Sequence, residues 1–329
     1  MVQLSLLILC NERKVFLDLL NQRLQEVKKS PIHSEHIKGA HAGHVIRIET
    51  FNQNGEKEKL IYKEFAKGRN NEIDIYKKLA DHLQSFIGLV KWWESPPQAI
   101  LMIDFGIPLK DDFMESPFHK KKKSIMSILQ RLSHLHSLKI DQTGVPLNTH
   151  AITYEWSEWA IEQLKLLNAT HIWAPDWFTQ IEIIYHRLKL AEYKVRGPLT
   201  LTHGDPHLEN VFRYHGEIWF IDWEWTAFAS PLRDVTILLQ DVYDEKLVQD
   251  VYRAYKVLLD KKNVSISNDA YRHDFHHLYL DHTVMMLAWE IEKYFQGYTA
   301  EGRIKEIVEF KINQINKVVR GEADLFEKQ

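Results

Sequence analysis

The segment from Leu199 to Trp225 constrains this chain more than any other. It reads LTLTHGDPHLENVF and then IWFIDWEW, and it fixes Asp205, Asn210 and Asp222 on one short stretch. Asp205 and Asn210 stand five residues apart in a His-Gly-Asp-x-x-x-x-Asn loop, and Asp222 follows twelve residues after Asn210. Leu199, Leu201 and the threonines beside them read as a short strand entering that loop. Val211–Tyr214 and Glu217–Ile221 read as strands flanking a turn at His215-Gly216. The expected order is strand, loop, hairpin, aspartate. An amide oxygen and a carboxylate at Asn210 and Asp222 are hard oxygen donors suited to a small divalent cation.

With Gly204 where protein kinases carry arginine, the loop resembles that of the aminoglycoside phosphotransferase and choline kinase superfamily. The resemblance implies an ATP-dependent phosphotransferase that moves the γ-phosphoryl group to a hydroxyl of a small molecule. Such transfer asks mainly for positioning and charge stabilisation. By resemblance, Asp205 orients the acceptor hydroxyl and takes its proton, while Asn210 and Asp222 hold Mg2+ across the ATP phosphates. His203 packs and hydrogen-bonds beneath the loop. Asp234, just after Pro231 at the opening of a helix, braces the loop from behind or simply favours the positive end of that helix. Glu224 is either a further metal carboxylate or a partner of Arg233.

Other parts of the pattern occur upstream in order. In the strand-like run LIYKEF, alternation puts Ile61, Lys63 and Phe65 on one face, so Lys63 requires an anionic partner. Glu72 is the candidate, on a helix whose Ile75, Tyr76, Leu79 and Leu83 recur at helical spacing. By resemblance this pair steadies the α- and β-phosphates. The run from Ile37 to Ile48 offers Gly39 and Gly43 but no GxGxxG, and reads equally as a phosphate-covering loop or a plain hairpin. AILMID, residues 99–104, reads as a buried strand broken by Phe105-Gly106. In the family this is the hinge, so Ile103 and Phe105 are expected to meet the nucleobase through their backbone groups.

Two other ligand patterns compete. His203, Asp205 and His207 spell His-x-Asp-x-His, a zinc-hydrolase arrangement that leaves Asn210, Lys63 and Glu72 unexplained. His273, His276, His277 and Asp281 lie at helical spacing, which reads as a partly exposed structural helix or as metal ligands. A non-catalytic nucleotide-binding scaffold is the alternative from outside the enzyme class.

At 329 residues the chain exceeds one ordinary core, so two subdomains with a cleft are expected. The fold class is α+β and kinase-like, with a sheet-containing N-lobe over residues 1–104 and a mainly helical C-lobe over 105–329. The 42 basic and 45 acidic residues give a net charge of −3, which argues against a nucleic-acid partner. Nothing in the sequence speaks to oligomeric state. A single cysteine, Cys10, allows no intrachain disulfide and fits a reducing cytoplasm. The apolar run 4–9 is too short to span a bilayer, so no membrane association is expected.

Lys120–Lys123 read as a solvated stretch just before a helix with Ile125, Ile128, Leu129, Leu132 and Leu135 on its buried face. Leu135-His136-Ser137 resembles an element that ends the equivalent helix in the family. Trp156, Trp159, Trp173 and Trp177 accompany Glu155, Glu158 and Glu162, which suits either helix packing or a cationic amino alcohol held by cation–π contact. Helices are expected over 284–295 and 304–319.

Overall fold

The computed structural model describes residues 16–37, 44–52, 54–66, 68, 71–140 and 145–320. The run 4–9, Cys10, Gly39 and Gly43 lie outside the described residues. The chain forms two compact units, Met1–Gly106 and Ile107–Gln329.

Among the described residues, the first unit is a five-stranded antiparallel sheet of order β1-β2-β3-β5-β4, with two helices. The strands are β1 (Pro31–Ile37), β2 (His44–Phe51), β3 (Lys57–Glu64), β4 (Leu89–Trp93) and β5 (Ala99–Ile103). Helix α1 covers residues 16–26 and α2 spans Asn71–Leu83. Period-two alternation sends Ile46 and Ile48 of β2, with Leu60 and Tyr62 of β3, into a core closed by Leu20 and Leu24 of α1. Arg23 is buried in this core. Its guanidinium donates to Tyr62 Oη at 2.5 Å and to the carbonyls of Ser95 and Pro97, and lies 3.9 Å from Glu64. The more deeply buried face of β3 is therefore Leu60, Tyr62 and Glu64. Ile61, Lys63 and Phe65 share the other, half-buried face, where Lys63 meets α2.

The second unit is mainly helical, with two small two-stranded sheets. Its helices are α3 (Leu109–Glu115), α4 (Phe118–His136), α5 (Glu155–Thr170), α6 (Trp177–Leu188), α7 (Leu232–Leu238), α8 (Glu245–Lys261), α9 (Asn268–Phe295) and α10 (Glu301–Val319). Strand β6 (Thr200–Thr202) pairs with β9 (Ala227–Ala229), and β7 (Val211–Tyr214) with β8 (Glu217–Phe220). The β7–β8 turn takes positive φ at both His215 and Gly216, the twist that a two-residue hairpin requires.

Two expectations are corrected. Helix α4 begins at Phe118, so Lys120–Lys123 form its first turns and do not precede it. Lys122 pairs there with Asp250, and Lys121 covers the Phe113 ring. The helix expected over 284–295 is the second half of the 28-residue α9, which Ser267 caps by accepting from the Ala270 amide. Helix α9 is buried on several sides, so its apolar residues do not fall on a single stripe. Among the described residues, no helix is long and apolar enough to cross a membrane.

Candidate active site

Strand β6 delivers the chain into the loop 203–210, and the first requirement there is backbone shape. Gly204 has φ +92°, and a Cβ at this position would fall 2.1 Å from the Trp225 carbonyl oxygen. Only glycine fits that approach.

Asp234 of α7 anchors the entry. Its two carboxylate oxygens accept from the His203 and Gly204 amides, each at 2.8 Å. The same carboxylate, fully buried, receives His136 Nε2 from the end of α4 at 2.9 Å, while His136 Nδ1 meets the Tyr255 hydroxyl. Burial pushes the Asp234 carboxyl up, but the His136 hydrogen bond and the Arg233 charge outweigh it and hold it below the usual carboxylate range.

The loop's far side hangs from Asp241, which follows α7 in a 3-10 turn and accepts from the Leu208 amide at 2.7 Å. Lys110 ties into the same corner. It bonds Glu209 at 2.7 Å, lies 3.4 Å from Asp241 and donates its amide to the Leu208 carbonyl. Burial works against the Lys110 ammonium, yet the charges of Asp241 and Glu209 raise it above the ordinary lysine range.

Between these anchors, Asn210 donates through Nδ2 to the Asp205 carbonyl at 3.0 Å and to its carboxylate at 3.3 Å. The amide oxygen of Asn210 is thereby turned away from Asp205. The Asn210 carbonyl accepts from the Ile221 amide, and His203 Nε2–H donates to the Ile221 carbonyl at 2.9 Å. Asp222 comes next, in the left-handed region at φ 67°, a strained backbone for a non-glycine residue. Both Asp205 and Asp222 act electrostatically on His203, so the loop and the strand exit share one hydrogen-bonded frame.

His203 is fully buried. Burial lowers its pKa and keeps the ring neutral, and its Nδ1 accepts from the Asp205 amide at 3.2 Å. With Nε2 donating and Nδ1 accepting, the ring has no lone pair for a metal, which removes the basis of a zinc site at His203, Asp205 and His207. His207 instead stands 3.5 Å from the Asp205 carboxylate; burial opposes its charge, but Asp205, Asp241 and Glu209 raise its pKa.

A divalent cation fits the donor set on this frame. Asn210 Oδ1 and the Asp222 carboxylate are hard oxygen donors, and magnesium keeps several waters when bound by so few protein groups.

Elsewhere, Lys63 Nζ bonds Glu72 at 2.7 Å, and Tyr76 Oη donates to the other oxygen of that buried carboxylate. The Ile103 amide is taken by the Gly88 carbonyl, and the Phe105 ring fills the space that a side chain at Gly88 would need. Arg233 Nη1 donates to Thr202 Oγ1 and to the Trp225 carbonyl. The tryptophans do not converge on one pocket. Trp159 packs on Trp289 of α9, Trp156 on His282, and Trp173 carries Lys305 over its ring and donates to Glu301.

Sequence reasoning missed Lys110 and Asp241; it named His136 only within the Leu-His-Ser element and His207 only as a zinc ligand. The available signal was SPLRDVTILLQD, where charges stand among apolar residues and need partners if the run is buried.

Residues 122–263 match the model of the phosphotransferase enzyme family. No curated protein matches the chain at a significant level. Among solved structures, choline kinase from Cryptosporidium parvum superposes with a TM-score of 0.60 at 12% identity, covering 96% of each chain. The choline kinase LicA from Streptococcus pneumoniae gives 0.55 at 13%, covering 94% of this chain and 99% of that one. A spectinomycin phosphotransferase, APH(9)-Ia, solved with ADP and spectinomycin, gives 0.57 at 14%, covering 92% of this chain and 98% of that one. The resemblance drawn from the loop is thus borne out by a family match over 122–263 and by the fold over most of the chain.

Proposed function

We propose that this chain, kinase-like in fold and matched to a phosphotransferase family across its catalytic loop, transfers the γ-phosphoryl group of ATP to a hydroxyl of a small molecule. One observation carries the reading. The loop is suspended at both ends from buried carboxylates, while the Asp205 carboxylate keeps 30% of its surface exposed, flanked by Asn210 and His207. A rigid loop presenting one reachable carboxylate suits a group that must orient a hydroxyl and receive its proton.

Asp205 accepts a hydrogen bond from the acceptor hydroxyl and takes its proton as the new oxygen–phosphorus bond forms. The bond between the γ-phosphorus and the bridging oxygen breaks, and ADP leaves. Asn210 and Asp222 would hold magnesium, which would supply charge neutralisation on the phosphates. His203, neutral and fixed in one tautomer, positions the Asp205 backbone. Lys63, oriented by Glu72, contacts the α- and β-phosphates, and the Ile103 carbonyl and the Phe105 backbone face the nucleobase.

For the acceptor, a cationic amino alcohol or aminoglycoside is the finer reading. It is supported by the choline kinases and aminoglycoside phosphotransferases among the similar folds.

The decisive experiment is thermal stabilisation by ATP with and without magnesium, run on the native chain and on Asp222→Ala. At ~100 times its dissociation constant a ligand adds ~2.7 kcal/mol. Stabilisation that requires both magnesium and Asp222 is expected; none at millimolar ATP defeats the proposal. Asp205→Asn should retain the stabilisation and lower turnover by ~10²–10⁴-fold. Equal stabilisation in both proteins with no turnover by either, across hydroxylated amines, neutral sugars and hydroxy amino acids, would favour a nucleotide-binding scaffold. Phosphorylation of the neutral compounds alone would exclude the cationic acceptor.

A further inference from the structure

A second cluster lies in the helical unit, with no part in the chemistry above. His150, in the segment before α5, and Asp281 and His282 of α9 bring three potential ligand atoms within 4.8 Å of one another. Each of the three residues also carries one buried side-chain atom with no hydrogen-bond partner among the described residues: His150 Nδ1, Asp281 Oδ2 and His282 Nε2. Asp281 is 1% exposed and His282 0%. Buried polar atoms are nearly always paired, and an orphaned one costs ~1–3 kcal/mol. Three such atoms on the residues of one cluster imply an occupant.

The hydrogen bonds on the far sides of these groups fix what they offer. Thr236 Oγ1 has a single hydrogen, directed to the backbone carbonyls of Leu232 and Arg233, so toward His282 it accepts, and His282 Nδ1–H is the donor. His282 Nε2 therefore carries a bare lone pair pointing into the cluster. Asp281 Oδ1 accepts from the Tyr185 hydroxyl at 2.7 Å, which leaves Oδ2 as the uncommitted oxygen. Burial and the Arg233 charge keep both imidazoles neutral, the state in which they ligate. Each of these two ligands is thus oriented by an outer partner, the usual arrangement behind metal-bound histidine and carboxylate.

Burial, which raises the Asp281 carboxyl to about 7, opposes the site, and so does Arg233. Its charge reaches His150, His282 and Asp281, but it is itself set among Asp234, Asp205 and Asp281. A water molecule donates only two hydrogens and would leave a lone pair unmet if all three atoms are acceptors. A cation takes all three.

We propose that His150, Asp281 and His282 form a binding site for one divalent transition-metal ion of the zinc class. Two imidazole nitrogens and a carboxylate oxygen are the donor set such ions select over magnesium or calcium, and three protein ligands leave a fourth position for water. The ion clips α9 to the segment carrying His150, whose amide donates to the Phe228 carbonyl in β9. It is independent of the magnesium expected at Asn210 and Asp222.

The test uses the full chain, stripped with chelator and titrated with Co2+. One equivalent showing visible ligand-field bands and displaced by Zn2+ is expected, with a rise in Tm. His282→Gln and Asp281→Asn should lose that equivalent. His277→Gln, which alters the neighbouring His273–His277 pair on the same helix, should keep it. Absence of the bands in the native chain, or their survival in folded His282→Gln, overturns the site. Should the cluster variants fail to fold, X-ray absorption of zinc-loaded His277→Gln decides: two imidazoles with oxygen ligands support the site, and one imidazole or none overturns it.

Discussion

At the scale of single residues, the loop depends on positions that admit no substitute. Gly204→Ala would force a methyl against the Trp225 carbonyl and hold alanine at φ +92°. Backbone strain of this kind costs ~1–3 kcal/mol before the clash is counted, so we expect a loss of at least ~3 kcal/mol by denaturant unfolding and no turnover. His207 gives a pH-dependent prediction. Its folded pKa is raised by Asp205 against the effect of burial, so its stabilising contribution is complete below the unfolded value, ~6.5, and is lost as pH rises through the folded value. The native chain should therefore lose stability relative to His207→Gln as pH climbs from 6 to 8, and a constant difference in Tm would refute the pairing.

At the scale of elements, α7 matters most. All seven of its residues are buried, and Asp234 joins α4, α7 and the loop through His136 and two backbone amides. Asparagine there offers one acceptor where two amides need one each. Asp234→Asn should cost ~2–4 kcal/mol and lower kcat more than it weakens ATP-induced stabilisation. How much of this was legible follows from chain separation. The loop residues and Asp222 are close neighbours in sequence, so their spacing carried the geometry, and the hairpin turn was visible as His215-Gly216. Lys63 and Glu72 were legible because a charged residue on a β-strand face demands a partner nearby. His136 and Asp234 lie 98 residues apart, and Leu208 and Asp241 33 apart, with nothing local to announce either contact. The start of α4 was placed after the four lysines because they read as a solvated stretch ahead of the apolar face, although Pro117 stands as its N-cap. The tryptophans suggested a pocket because aromatic faces serve packing and cation binding alike; the structure divides them between α9 and the start of α10.

At the scale of the whole molecule, the helical unit carries more buried charge than its apolar interior would favour. Lys311 of α10 is 2% exposed, and its ammonium bonds only to the carbonyl and side-chain oxygens of Gln240, at 3.2 and 3.1 Å, among the described residues. Burial lowers it to about 8 despite Glu290 and Asp241. A lysine with a depressed folded pKa binds fewer protons folded than unfolded between about 8 and the free value of ~10.4, so stability rises with pH across that window. Lys311→Met should raise Tm at neutral pH, and the gain should shrink as pH rises through that window.

The two anchors of the loop 203–210, Asp234 and Asp241, belong to one unbroken stretch, residues 232–241, in which every side chain is buried. The loop therefore has no private way to come undone. Its amides at His203, Gly204 and Leu208 can reach deuterium only when the interior of the helical unit opens, and they should exchange at the rate of that interior and not at the rate of a surface loop.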